Sequence, residues 1–116
     1  MSNDLELHIG GSFDAMAKRV SEAWHKAENG EVVAEDHLTF VDWDVFSQTM
    51  STKRLELLRH LHRHPQTSIA ALARSLDRDY RRVHEDVDIL KRAGLIEQRE
   101  TGLYTGYDEI HTTIAL

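Results

Sequence analysis

The chain contains no cysteine, which excludes disulfide staples, thiolate zinc fingers, iron–sulfur clusters and cysteine nucleophiles. Proline occurs once and glycine 6 times, too seldom for collagen-like or proline-rich low-complexity designs. No apolar run approaches the roughly 20 residues that a spanning helix needs. The start, MSNDLELHIGG, lacks the basic flank and apolar stretch of a signal peptide. These absences lead to the expectation of a soluble cytoplasmic protein with no membrane partner. Glycine-rich phosphate loops, serine elbows, HExxH and carboxylate pairs in an apolar setting are also missing, so neither an enzyme nor a cofactor is expected. What is present is a chain of 116 residues, 41% hydrophobic and 29% charged, enough to build one ordinary packed domain.

The formal net charge of −6 speaks against nucleic acid only if it is evenly spread, and it is not. Met1–Met50 carries 3 Lys/Arg against 10 Asp/Glu, a net of −7, whereas Ser51–Arg82 carries 8 against 3, a net of +5. A phosphate backbone responds to this local basic patch more than to the total.

Hydrophobic periodicity divides the chain into an acidic extension over 1–50 and a second domain over 51–116. In the extension, Leu5, Leu7 and Ile9 alternate with Glu6 and His8, the period of a strand with one buried face. Ser12 opens an amphipathic helix carrying Phe13, Met16, Ala17, Val20, Ala23, Trp24 and Ala27 at helical spacing. A short strand precedes Asp42, an N-cap for a helix in which Trp43, Phe46 and Met50 share a face.

In the second domain, a helix capped by Ser51 or Thr52 presents Leu55, Leu58 and Leu61, with Leu57 widening the stripe, and stops at His64-Pro65. Ser68 caps a short helix with Ile69, Leu72, Ala73 and Leu76 inward. Asp77-Arg78 connects it tightly to a helix capped by Asp79, in which Val83, Val87 and Leu90 lie at i, i+4 and i+7. After Ala93-Gly94, Leu95-Ile96 opens a strand, turns are predicted at Thr101-Gly102 and Thr105-Gly106, and Ile110, Thr112 and Ile114 alternate in a last strand.

Helix, short helix, tight turn, longer helix and two-stranded ribbon is the order of a winged helix-turn-helix, so the expected class is α+β with an N-terminal strand and amphipathic helix extension. In such a module a leucine platform leaves one face of the third helix free for the major groove of double-stranded DNA. That face begins with Tyr80, Arg81 and Arg82, continues to His84 and Glu85, and has Arg78 beside it. Guanidinium forks suit guanine edges or phosphates, and backbone donors at Ser68 and Asp79 suit phosphate. Tyr80 reads equally as packing at the helix start. Arg99, placed at the base of the ribbon, is a further phosphate contact, although Glu97 and Glu100 flank it. Tyr104 and Tyr107 read as packing or dimer residues. Histidines 60, 62 and 64 invite a metal reading, with Glu56 nearby, but a specific site takes three or four ligands. No metal is expected there.

The run SIAALARSLDRDYRRVHEDVDILKRAGLIE, with TKRLELLRHL before it, resembles the helix-turn-helix core of MarR-like winged-helix regulators. FDAMAKRVSEAWHKAENGE, LTFVDWDVF and GYDEIHTTIAL are similar to segments of a smaller prokaryotic family of winged-helix DNA-binding proteins. That family is known mostly as predicted transcriptional regulators, some encoded beside toxins as antitoxins. The resemblance implies a sequence-specific DNA-binding protein acting as a repressor, with Tyr80, Arg81, Arg82 and His84 on the groove-facing stretch. Asp77 departs from the glycine common in the turn of such motifs, and Asp tolerates the left-handed conformation better than most residues.

One recognition helix reads only a few base pairs, so a homodimer on a pseudo-palindromic operator is expected, its two helices roughly 34 Å apart. Helix Phe13–Ala27 and strand Ile110–Leu116 are its interface candidates, or else simply complete the core. The acidic extension, through Glu28, Glu31, Glu35, Asp36, Asp42 and Asp44, suits a basic partner such as a toxin. The alternative is a protein-interaction winged helix that neutralises such a partner without reading DNA.

Overall fold

The computed structural model describes residues 4–11, 36–40 and 42–116. The class is mixed α+β. Elements follow the order β1 (Asp4–Ile9), β2 (Asp36–Phe40), α1 (Trp43–Thr49), α2 (Thr52–Arg63), α3 (Ile69–Leu76), α4 (Tyr80–Arg92), β3 (Glu97–Arg99), β4 (Gly102–Tyr104) and β5 (Glu109–Ile114). Among the described residues no helix is long and apolar enough to cross a membrane. The expected helix Phe13–Ala27 lies outside the described residues.

Two compact units divide the chain, one from Met1–Phe46 with Asp108–Leu116, the other from Ser47–Tyr107. The break falls between Phe46 and Ser47 instead of at residue 50, and the last strand leaves the second domain. The last strand belongs with the N-terminal unit, because β1 pairs in parallel with both β2 and β5, in the order β2-β1-β5.

In the first unit, the alternation of β1 does what its period requires. Leu5, Leu7 and Ile9 are buried, and Phe40, Leu38, Phe46 and Ile110 pack with Leu7 and Ile9. The register sets Leu7 beside both Leu38 and Thr112, and Ile9 beside Phe40 and Ile114. Asp4, Glu6 and His8 consequently share the opposite face with Glu109, His111 and Thr113. Asp42 caps α1 as expected, its Oδ1 accepting from the Val45 amide at 3.0 Å.

In the second unit, each helix starts on a side-chain cap. Ser51 Oγ accepts from the Arg54 amide at 3.3 Å, Ser68 Oγ from Ala71 at 3.0 Å, and Asp79 Oδ2 from Arg82 at 3.2 Å. Leu57, Leu61, Leu72, Val83, Val87, Leu90, Leu95 and Leu103 are fully buried, worth about 2 kcal/mol each at the usual value for apolar side chains. Leu57 and Leu58, not Leu55, accompany Leu61 inward. Leu55 and Leu76 are only half-buried.

The α3–α4 turn is closed by Asp77 in the left-handed region, φ 52° and ψ 50°. The amide of Asp77 donates to Arg74 O and that of Arg78 to Ala73 O, the paired bonds of a Schellman exit that usually falls to glycine. Thr101-Gly102 does not form the expected turn on its own, because Gly102 opens β4 and pairs with Arg99. It lies against the Gln66 backbone, where the Leu103 amide donates to Gln66 O at 2.8 Å.

A Cβ at position 102 would collide with Gln66 O, and the φ of +141° is one that side chains disfavour. Gly102→Ala is therefore expected to lower stability by about 2 kcal/mol or more, measured by urea denaturation. An unchanged midpoint contradicts the packing described.

Candidate functional site

Of the residues expected at a DNA interface, Arg78, Tyr80, Arg81, Arg82, His84 and Glu85 gather at the N-terminal end of α4, and Arg78 has a different job from the one expected. Asp86 lies on the buried stripe of α4 with Val83, Val87 and Leu90. A carboxylate there has to be paired or neutralised. Arg54 Nε donates to its Oδ1 at 3.0 Å and Arg78 Nη2 to its Oδ2 at 2.8 Å. Only 12% of the Asp86 side chain is exposed, against 18% for Arg54 and 20% for Arg78. Arg54 also donates to the carbonyls of Gln48 and Thr49.

This cluster ties the start of α2, the turn after α3 and the middle of α4 together. Arg78, expected as a DNA contact, is spent on Asp86. The signal for Asp86 was present in the sequence, since position 86 falls at i+3 from Val83 on the same stripe that Val87 and Leu90 define.

Around the cluster the remaining candidates face outward. Tyr80 is 53% exposed, and Arg81, Arg82, His84 and Glu85 are exposed as well. Neither the Arg81 nor the Arg82 guanidinium has a carboxylate partner among the described residues, in contrast to Arg92, which pairs with Asp88 at 2.8 Å. The rings of Tyr80 and His84 lie 5.9 Å apart, one helical turn along the same surface.

Two surface clefts flank this edge. One, of about 460 Å³, is lined by Ala70, Arg74, Asp77, Asp79 and Tyr80 among others. The other, of about 620 Å³, is lined by Lys53, Arg78, Asp79 and Arg82. Ser68, exposed at the N-terminus of α3, uses its hydroxyl as a cap.

Arg99 stands next to the hairpin tip, not at its base, because it pairs with Gly102. Its guanidinium donates twice to Glu97, at 2.8 and 2.9 Å, and lies 5.2 Å from the Tyr104 ring centroid. The hydrogen bonds from Arg99 hold the Glu97 carboxyl below its ordinary range, and Glu97 in turn raises the Arg99 value. Since the Glu97 value is depressed on folding, this contribution is present above the unfolded-state pKa and is lost as pH falls through the folded one. The Tyr104 hydroxyl donates to Thr101 within the hairpin, at 2.8 Å.

His60 and His64, at the end of α2, are engaged locally. His60 Nε2 is 2.7 Å from Ser75 Oγ, and its ring lies 5.1 Å from that of His64. Of the acidic candidates, Asp42 and Asp44 are exposed at the start of α1, and Asp36 begins β2. Glu28, Glu31 and Glu35 lie outside the described residues.

A helix-and-hairpin unit with a basic, outward-facing helix start is thus the class of site present. The HVO_A0114 family model matches residues 49–112, more than half of the chain, and the chain belongs to the HVO_A0114 family. No curated protein and no solved structure matches it.

Replacing Asp86 strands two guanidiniums against each other in a largely buried setting. Asp86→Ala is expected to cost roughly 3 kcal/mol, the lower end for a broken buried pair because both arginines keep some solvent contact. Chemical denaturation measures this, and a loss below about 0.5 kcal/mol would show that the cluster is incidental.

Proposed function

We propose that this protein is a sequence-specific DNA-binding transcriptional regulator in which Ser47–Tyr107 works as a winged helix-turn-helix. The observation that carries the reading is the exposed start of α4, where Arg81 and Arg82 stand without carboxylate partners among the described residues while Asp86 anchors the same helix from behind. The order of helix, helix, left-handed turn, helix and hairpin supports it, as does the +5 charge of Ser51–Arg82.

In this reading α4 enters the major groove. Arg81 and Arg82 take guanine edges or phosphates, Tyr80 and His84 add contacts from the next turn, and Ser68 offers a helix N-terminus to the backbone. Arg99 is a secondary contact, since Glu97 competes for it. The protein acts as a homodimeric, MarR-like repressor on a pseudo-palindrome, its two recognition helices about 34 Å apart.

A second reading rests on the charge of the first 50 residues, a net of −7. There the acidic segment receives a basic toxin, and the protein is an antitoxin that also represses its own promoter. Co-expression with the product of the adjacent gene separates the two readings, since no complex and no relief of toxicity removes the antitoxin while leaving the repressor untouched.

The test is fluorescence anisotropy on a duplex from the protein's own promoter. Arg81→Ala and Arg82→Ala are each expected to weaken binding by about 1 kcal/mol or more, roughly fivefold, and to flatten the salt dependence. If neither does, α4 is not the reader. Glu97→Gln, which releases Arg99 and removes a negative charge beside the duplex, is expected to tighten binding about two- to fivefold at low salt. Unchanged affinity would place the hairpin away from DNA.

A further inference from the structure

The polar face of the β2-β1-β5 sheet gathers a set of side chains that the DNA-binding reading does not use. Parallel pairing aligns Asp4 with Glu109 and Glu6 with His111, so residues more than 100 positions apart in the chain meet on one face. His111 Nε2 lies 3.5 Å from Asp4 Oδ2 and 3.1 Å from Glu109 Oε2, and one ligand atom from each residue falls within 4.8 Å of the others. A tetrahedral centre with bonds of about 2.0–2.2 Å to nitrogen and oxygen requires separations of about 3.3–3.5 Å between its ligand atoms. The 3.5 Å separation falls at the top of that range and the 3.1 Å one lies slightly below it.

The remaining Asp4 oxygen, Oδ1, has no partner among the described residues, on a side chain that is 35% exposed overall. This atom is shut off from solvent, an expensive position for a carboxylate oxygen unless a cation or a donor satisfies it. A single imidazole N–H cannot satisfy two carboxylates at once, whereas a divalent cation between them and the neutral imidazole can.

We infer that Asp4, Glu109 and His111 form a binding site for a divalent first-row transition cation of the zinc type. One imidazole with two carboxylates matches the borderline character of such ions. Magnesium and calcium prefer all-oxygen sets. Three protein ligands leave an open coordination position for water, and Glu6, next to His111 across the strands, adds negative charge beside the ion. Because the ligands come from β1 and β5, the ion also clamps these two paired strands.

The experiment titrates metal-stripped, tag-free full-length protein with Co²⁺, read by its visible absorption, and then displaces the Co²⁺ with Zn²⁺. One equivalent is expected to bind. Glu109→Gln and His111→Ala are each expected to weaken binding tenfold or more, while the His60→Ala/His64→Ala double variant keeps wild-type affinity. Glu109 is 65% exposed, so Glu109→Gln leaves the fold intact, as circular dichroism checks. Absence of saturable binding, wild-type affinity in both ligand variants, or loss of binding in the His60/His64 variant overturns the site.

Discussion

The second unit depends on one buried charge. Asp86 sits where an apolar residue would pack, and it is tolerable only because Arg54 and Arg78 close on its two oxygens. A hydrophobic triplet of similar volume would serve stability as well or better. What the ionic cluster adds is direction. Each guanidinium donates in a fixed plane, so the start of α2, the α3–α4 turn and the middle of α4 are held in one mutual arrangement. The left-handed Asp77 and the Asp79 cap lie within this arrangement, and the exposed start of α4 is its product.

That division of labour sorts the basic residues into two kinds. Arg54 and Arg78 are structural, drawn in by Asp86. Arg81 and Arg82 face outward on the same helix start, and Arg99 is half-committed to Glu97. Net charge alone conceals this difference, since each arginine counts equally in the sum while only those without a carboxylate partner raise the potential that a phosphate meets.

Much of the fold was legible in local signals. The alternation of β1, the caps at Ser51, Ser68 and Asp79, and the stop at His64-Pro65 are short-range chemistry, and each element they predict is present. Long-range pairing was not legible. Nothing in Ile110, Thr112 and Ile114 says that their strand joins β1 in parallel instead of extending the hairpin, because a period of two fixes a face and not a partner. The same limit hid the Asp4, Glu109 and His111 cluster, which exists only through that pairing. Within the candidate site, the exposed set from Tyr80 to Glu85 followed from helical phase. The role of Arg78 did not, since a basic residue in a turn reads as solvated until its acidic partner is placed on the buried stripe.

We propose that DNA meets the protein at the start of α4, held out by the Asp86 cluster. Chemical-shift mapping by NMR on addition of a promoter duplex addresses it directly. The largest perturbations are expected at the backbone amides of residues 79–85 and at the side-chain Nε–H groups of Arg81 and Arg82, with the Arg54 and Arg78 Nε–H signals little changed. Perturbations confined to the β2-β1-β5 sheet, with the start of α4 silent, would contradict it.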